Sequence, residues 1–155
     1  LRHSSAASDV YKRQDIDAIC DTVGTAGTLM GIAKAFKENK TKIIAVEPSS
    51  SPILSKGIKG SHNVEGVGLG FIPAIYNPKL VDEVITIEES RARQTSRDLA
   101  LKEGIFCGTS SGMNVAAAIE ISKKLGPRSK VVAIACDTGL KYLSEGLFDN
   151  KKGDS

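Results

Sequence analysis

The sequence predicts an α/β fold, a mostly parallel sheet flanked by helices. Three observations carry that expectation. Short apolar runs alternate with segments of helical period from Asp15 onward, a glycine-rich turn stands where strand should pass into helix, and Lys130 to Cys136 is almost continuously apolar, as in a strand covered on both faces. With 155 residues, 41% of them hydrophobic and 25% charged, the chain can bury a real core and is most simply one soluble domain.

Taken in order, Ile16 to Cys20 reads as the first strand, and the glycine turn after it leads into a helix from about Thr28 to Glu38. Leu29, Ile32, Ala33 and Phe36 recur at the offsets of one helix face and should form its buried stripe. Lys42 to Glu47 is the second strand, ended by Pro48, which lacks a backbone donor and restricts the residue before it. From Ser49 to Pro78 the chain is rich in Gly, Pro and Ser with little periodicity, and a loop of that length should line a ligand or an interface. Val84 to Ile87 is the third strand. A helix follows from Glu88-Glu89-Ser90 to about Glu103, its early acids matching the positive end of the helix dipole, and Gly104 stops it. The next helix, after Gly108 to Gly112, runs to about Leu125 and is apolar nearly all round from Met113 to Ile119, so it should be buried.

Composition removes several classes of function. The 21 basic and 18 acidic side chains are mixed along the sequence, giving a net charge of +3 without a basic stripe, so neither nucleic acid nor a membrane surface is an expected partner. No apolar run approaches the roughly 20 residues that cross a bilayer. Residues 1–14 are polar and lack the apolar stretch of a signal sequence; they are expected to be a leader foreign to the domain, and 151–155 a polar tail. Cys20, Cys107 and Cys136 show neither close pairing nor metal-ligand spacing, which suits small buried hydrophobes in a reducing cytoplasm.

Three segments could carry chemistry. Gly24-Thr25-Ala26-Gly27-Thr28 lies between strand and helix, where free amides and the helix dipole attract an anion such as a phosphate; a tight turn with threonine capping is the plainer alternative. The same residues admit a dinucleotide reading, with Gly24, Gly27 and Gly31 as the glycines and Glu47 as the acid that would hold a ribose. Gly108-Thr109-Ser110-Ser111-Gly112 offers either helix-capping serines or a hydroxyl facing a heterocyclic nitrogen. The segment Asp137 to Ser144 follows the carboxyl end of a strand, where open α/β sheets place ligands; the plainer reading makes Asp137 a helix cap with Tyr142 and Leu143 packing inward. His62, in the long loop, could act as a general base or be hydrogen-bonded to backbone.

These three segments, together with Gly66-Val67-Gly68-Leu69-Gly70-Phe71-Ile72-Pro73 between the first two, resemble the cysteine synthase (O-acetylserine sulfhydrylase) family from about Asp15 to Asn150. Cystathionine β-synthases share much of the pattern. The resemblance implies the C-terminal, phosphate-binding part of a two-domain fold-type II pyridoxal-phosphate enzyme, tryptophan synthase β-like, that makes cysteine and acetate from O-acetylserine and sulfide. It also implies a cytoplasmic homodimer. By the same resemblance the cofactor is pyridoxal 5'-phosphate, Gly24, Thr25, Ala26, Gly27 and Thr28 cradle its phosphate, and Ser110 bonds its ring nitrogen, with Ser111 as second choice. Gly66 to Gly70 would pass the cofactor face, and Asp137 and Thr138 would lie near the ring end. Ala26 stands where the family usually has Gly, its side chain expected to point away from the phosphate, and Leu140-Lys141 replaces a Glu-Arg pair before Tyr142. The family's Schiff-base lysine has no equivalent: Lys12 lacks the surrounding motif, so no catalytic residue is assigned and the chain alone is expected to be inactive. A non-catalytic phosphate-ligand module and an NAD(P)-binding domain are the alternatives.

Overall fold

A computed structural model of the chain describes residues 15–149, so the expected leader and tail lie outside the described residues. Four strands, β1 (Ala18–Thr22), β2 (Lys42–Pro48), β3 (Glu83–Ile87) and β4 (Val131–Ala133), form a sheet in the order β3-β2-β1-β4. All pairings are parallel, with Ile19 opposite both Ile43 and Val132, and Val46 opposite Ile85. The helices are α1 (Gly27–Ala35), α2 (Ile53–Lys56), α3 (Glu89–Asp98) and α4 (Thr109–Leu125).

The two-residue alternation of the strands divides the core between the sheet's faces. Ala18, Cys20, Ile44 and Val46 pack with Ala92 of α3 and with Met113, Ala116, Ala117 and Ile121 of α4. Ile19, Ile43 and Ala45 point the other way, against Leu29, Met30 and Ala33 of α1 and Phe36 beyond it. Fully buried Leu29, Ile44, Ile87, Met113 and Ile121 each contribute roughly 1.5–3 kcal/mol of transfer free energy.

Several boundaries move for identifiable reasons. The first strand lies two residues later than the apolar pattern indicates, because polar Asp21 and Thr22 pair with Ala45 and Val46 inside the sheet. Helix α1 ends at Ala35, with Phe36 leaving helical dihedrals while its amide still bonds Ile32, and Met30 joins the buried face where Ile32 is only half-buried. The long loop contains α2 and a 3-10 turn at Pro78–Leu80. The helix expected to reach Glu103 does so by way of a π turn, Leu99–Glu103, and stops at Gly104 with φ 69°, a left-handed cap that glycine adopts freely. The expected buried strand at Lys130 to Cys136 is corrected: only Val131–Ala133 pair, all half-buried. The reason is that β4 is an edge, bonded to β1 alone among the described residues.

Candidate functional site

Strand β1 sends its crossover helix toward β2, while β4 lies on its other side. The order of the sheet therefore switches between β1 and β4, and a crevice at the carboxyl ends of the strands is expected there. A cavity of about 420 Å³ occupies that place, within the size range of small-ligand sites. All five residues of the glycine turn, Gly24 to Thr28, line it.

The turn is built for close approach. A Cβ on Gly24 would stand 2.0 Å from the Gly66 carbonyl oxygen, so only glycine lets these two loops touch. Ala26 is the residue before α1 and has φ 66°, the left-handed region, which explains why glycine suits this position; it is buried in the α1 cluster while also lining the cavity. The cap residue Ala26 makes no side-chain bond to the helix start. Gly27 N donates to Thr25 Oγ1 at 3.5 Å, and Met30 N donates to Ala26 O at 2.9 Å. One amide at the mouth of α1 is therefore capped from within, Gly27 N donating to Thr25 Oγ1 over a long 3.5 Å, so the capping alternative is realised in part and by Thr25 alone.

Gly66 and Val67 form part of the opposite wall, and unanticipated Glu65 joins them. This strap is held to β1 by Gly68 N donating to Val23 O at 3.0 Å. His62 fixes it further: its Nδ1 accepts from Val64 N at 3.3 Å, so its Nε2–H donates to Gly68 O at 3.1 Å. Both ring nitrogens are committed to backbone, and the histidine is a brace rather than a general base.

On the α4 side Ser110 lines the cavity and Ser111 does not; Ser111 Oγ instead accepts from Cys136 N at 2.9 Å. Neither serine caps α4, whose capping residue is Gly108 without a side-chain bond. Asp137 lines the cavity, with Oδ2 accepting from Tyr142 OH at 2.7 Å and Lys141 Nζ at 3.5 Å. The Leu140-Lys141 replacement thus still supports an ion pair, while Leu140 itself is exposed. Thr138 is outside the lining, and caps the 3-10 turn Gly139–Tyr142 by accepting from Leu140 N. Tyr142 packs inward and Leu143 does not. Burial, then its bond to Asp137, push the Tyr142 hydroxyl up. Cys20 and Cys107 are buried as expected; Cys136 is corrected, being exposed where the chain has left β4 and lines the cavity.

The least expected member is Asp21. This cavity-lining carboxyl is 2% exposed, accepts from Asn114 Nδ2 at 3.4 Å through Oδ1, and leaves Oδ2 without a partner. The dinucleotide reading fails at Glu47. Its carboxylate is buried and accepts from Leu54 N, Ser55 N and Ser55 Oγ at 2.7, 3.1 and 2.5 Å, capping α2, so it cannot also hold a ribose. No helix of the described residues is long and apolar enough to cross a membrane.

The family model described as pyridoxal-phosphate dependent enzyme matches residues 3–137. The chain is 43% identical over 136 residues to cysteine synthase B of Campylobacter jejuni, covering 86% of this chain and 45% of that protein. It is 40% identical over 140 residues to a cysteine synthase of Staphylococcus aureus, covering 89% and 45%. The crystal structure of a cysteine synthase from Entamoeba histolytica superposes with a TM-score of 0.86 at 34% identity, covering 99% of this chain and 47% of that one. An O-acetylserine dependent cystathionine β-synthase from Helicobacter pylori gives 0.85 at 33% identity, over 94% and 48%. The chain spans about half the length of the curated relatives it matches.

Proposed function

Because the chain belongs to the family of pyridoxal-phosphate dependent enzymes, we propose that it forms the phosphate-binding half of a cysteine synthase, which converts O-acetylserine and sulfide to cysteine and acetate. The observation that carries this reading is the start of α1, whose cap residue Ala26 makes no side-chain bond, opening with its glycine turn into the cavity at the switch of the sheet. A phosphate ester fits there: all five turn residues line the cavity, the start of α1 carries one long side-chain bond, Gly27 N to Thr25 Oγ1 at 3.5 Å, and the dipole favours an anion.

In this reading Gly24, Thr25, Ala26, Gly27 and Thr28 hold the phosphate, the two threonines adding hydroxyl donors. Ser110 holds the ring nitrogen from the start of α4, and the Asp137–Tyr142 pair fixes the wall nearby. When bound, the cofactor supplies the electron sink for exchange at the β-carbon of the amino acid. No lysine of this chain is assigned the covalent link to the cofactor. Exposed Leu69, Phe71, Ile72 and Ile75 along the strap are the kind of surface that packs against further protein, in a cytoplasmic homodimer.

The test is to co-express this chain with the portion of the C. jejuni protein outside the match and supply pyridoxal phosphate, O-acetylserine and sulfide. Cysteine formation supports the proposal; cystathionine formation from homocysteine alone redirects it to the sister activity. Phosphate-competed cofactor binding with no product leaves a binding module. For the chain by itself, borohydride reduction after cofactor loading is expected to leave no pyridoxyl adduct at a unique lysine, and a single modified lysine overturns that assignment.

A further inference from the structure

Asp21 is a residue that phosphate binding at the glycine turn does not use, yet it lies three positions before Gly24 and lines the same cavity. At about 3.3 Å per residue of extended chain, the backbones of Asp21 and Gly24 are at most on the order of 10 Å apart. Asp21 is almost fully buried, so its own charge is poorly hydrated. We infer that Asp21 is a proton-linked positioning residue, whose carboxyl takes up a proton when a dianionic group settles on the Gly24–Thr28 turn. This deepens the proposed phosphate reading and rests on it.

Two orphan oxygens argue for a proton at this place. Asp21 Oδ2 and Asn114 Oδ1 are both buried without partners, while the Asn114 amide nitrogen already reaches Asp21 Oδ1. One proton on Oδ2 turns the acceptor-only carboxylate into a donor, and an acid facing an amide can exchange two hydrogen bonds where the ionised form accepts one. Burial also pushes the carboxyl up to about 6, so the proton is within reach of neutral pH. A dianion on the turn then raises it further by like-charge repulsion.

The groups around Asp21 do not supply the same linkage. On β1, Cys20 is held neutral, its thiol pushed up to about 12 by burial. From β2 it faces uncharged Ala45, from α4 uncharged Asn114, and α1 presents only Gly27, Thr28 and Leu29 to the cavity. Beyond β4, the Cys136 thiol is raised as well, through desolvation of its sulfur at the cavity wall. Glu65, Asp137, Lys141 and Tyr142 complete the charged and titratable groups of the cavity, and substitution at Asp21 separates its contribution from theirs.

Sulfate is a suitable probe, because it stays a dianion from pH 5 to 8. Titrating the 155-residue chain with sulfate and following the Gly24 and Gly27 amide resonances should give binding about tenfold tighter at pH 5 than at pH 8, the size of a one-unit rise in the bound state. Asp21→Asn should flatten that dependence to within about twofold. As a readout that needs no variant, the Asp21 side-chain carbon of the parent chain should titrate about one unit higher with saturating sulfate than without. Equal pH dependence in both proteins, or an Asp21 titration unmoved by sulfate, overturns the inference while leaving the cradle intact. Failure of sulfate to move the turn amides of either protein at any pH removes the cradle itself, and this inference with it.

Discussion

Replacing Gly24 by alanine tests the packing of the turn and its ligand role together. The new Cβ would meet the Gly66 carbonyl oxygen at 2.0 Å and its carbon at 3.2 Å, both backbone atoms that no rotamer change can remove. The strap must back away, straining the Gly68 N to Val23 O bond, now 3.0 Å. Overpacking of this kind costs about 1–3 kcal/mol, and a lost hydrogen bond about 1 kcal/mol more, so a loss of about 2–4 kcal/mol is expected. At a urea slope of about 1–3 kcal/mol per molar, the unfolding midpoint should fall by on the order of 1 M, and the sulfate response of the turn should disappear. Gly31 is the control. A Cβ there meets nothing within 4 Å and the residue sits exposed in α1, so Gly31→Ala should stabilise by about 0.5–1 kcal/mol. A Gly24→Ala chain with unchanged midpoint and unchanged sulfate binding would refute the account of the loop contact.

Two further outcomes are expected. Glu47→Gln should cost about 2–3 kcal/mol in urea unfolding, since an amide cannot accept from both the Leu54 and Ser55 donors that the carboxylate now serves; a change under about 1 kcal/mol would mean that α2 is held by other contacts. Asp21 binds a proton more readily folded than unfolded, its value rising from 3.8 to about 6, so its contribution to stability falls as pH climbs through that window and is fully lost above it. The shift corresponds to about 3 kcal/mol, so Asp21→Asn should melt higher than the parent at pH 7.5 and close to it at pH 4, whereas a constant difference across that range would contradict the shift.

Much of the fold was legible because apolar periodicity reports burial. Leu29, Ala33 and Phe36 marked the inner face of α1, and the run from Met113 marked a helix packed on the sheet, though it overreached at Ile119, which is exposed. The same signal misplaced β1, since Asp21 and Thr22 are strand residues without apolar side chains, and it overextended β4, since hydrophobic content does not tell an edge strand from a central one. The glycine turn and Ser110 were readable from motif and position. Asp21 was not: its role comes from Asn114, 93 residues away in sequence, which local pattern does not bring near. Its one clue was an acid standing between an apolar run and the glycines. Glu47 was legible as a strand-ending acid but not as a cap, because the Leu54 and Ser55 amides it serves sit in a helix of only four residues, too short to leave a periodic trace.

The sheet's last seam joins distant parts of the chain: Lys130 N donates to Asp17 Oδ2 across 113 positions, beside the pairing of β4 with β1. Closing so long a span surrenders much chain entropy before any contact repays it, and the short outer strand gives back only three residue pairs. This zipper should therefore shut last during folding and part first under stress. Because the crevice sits at that margin, the protein would lose its grip on a guest molecule while most of its interior was still dry.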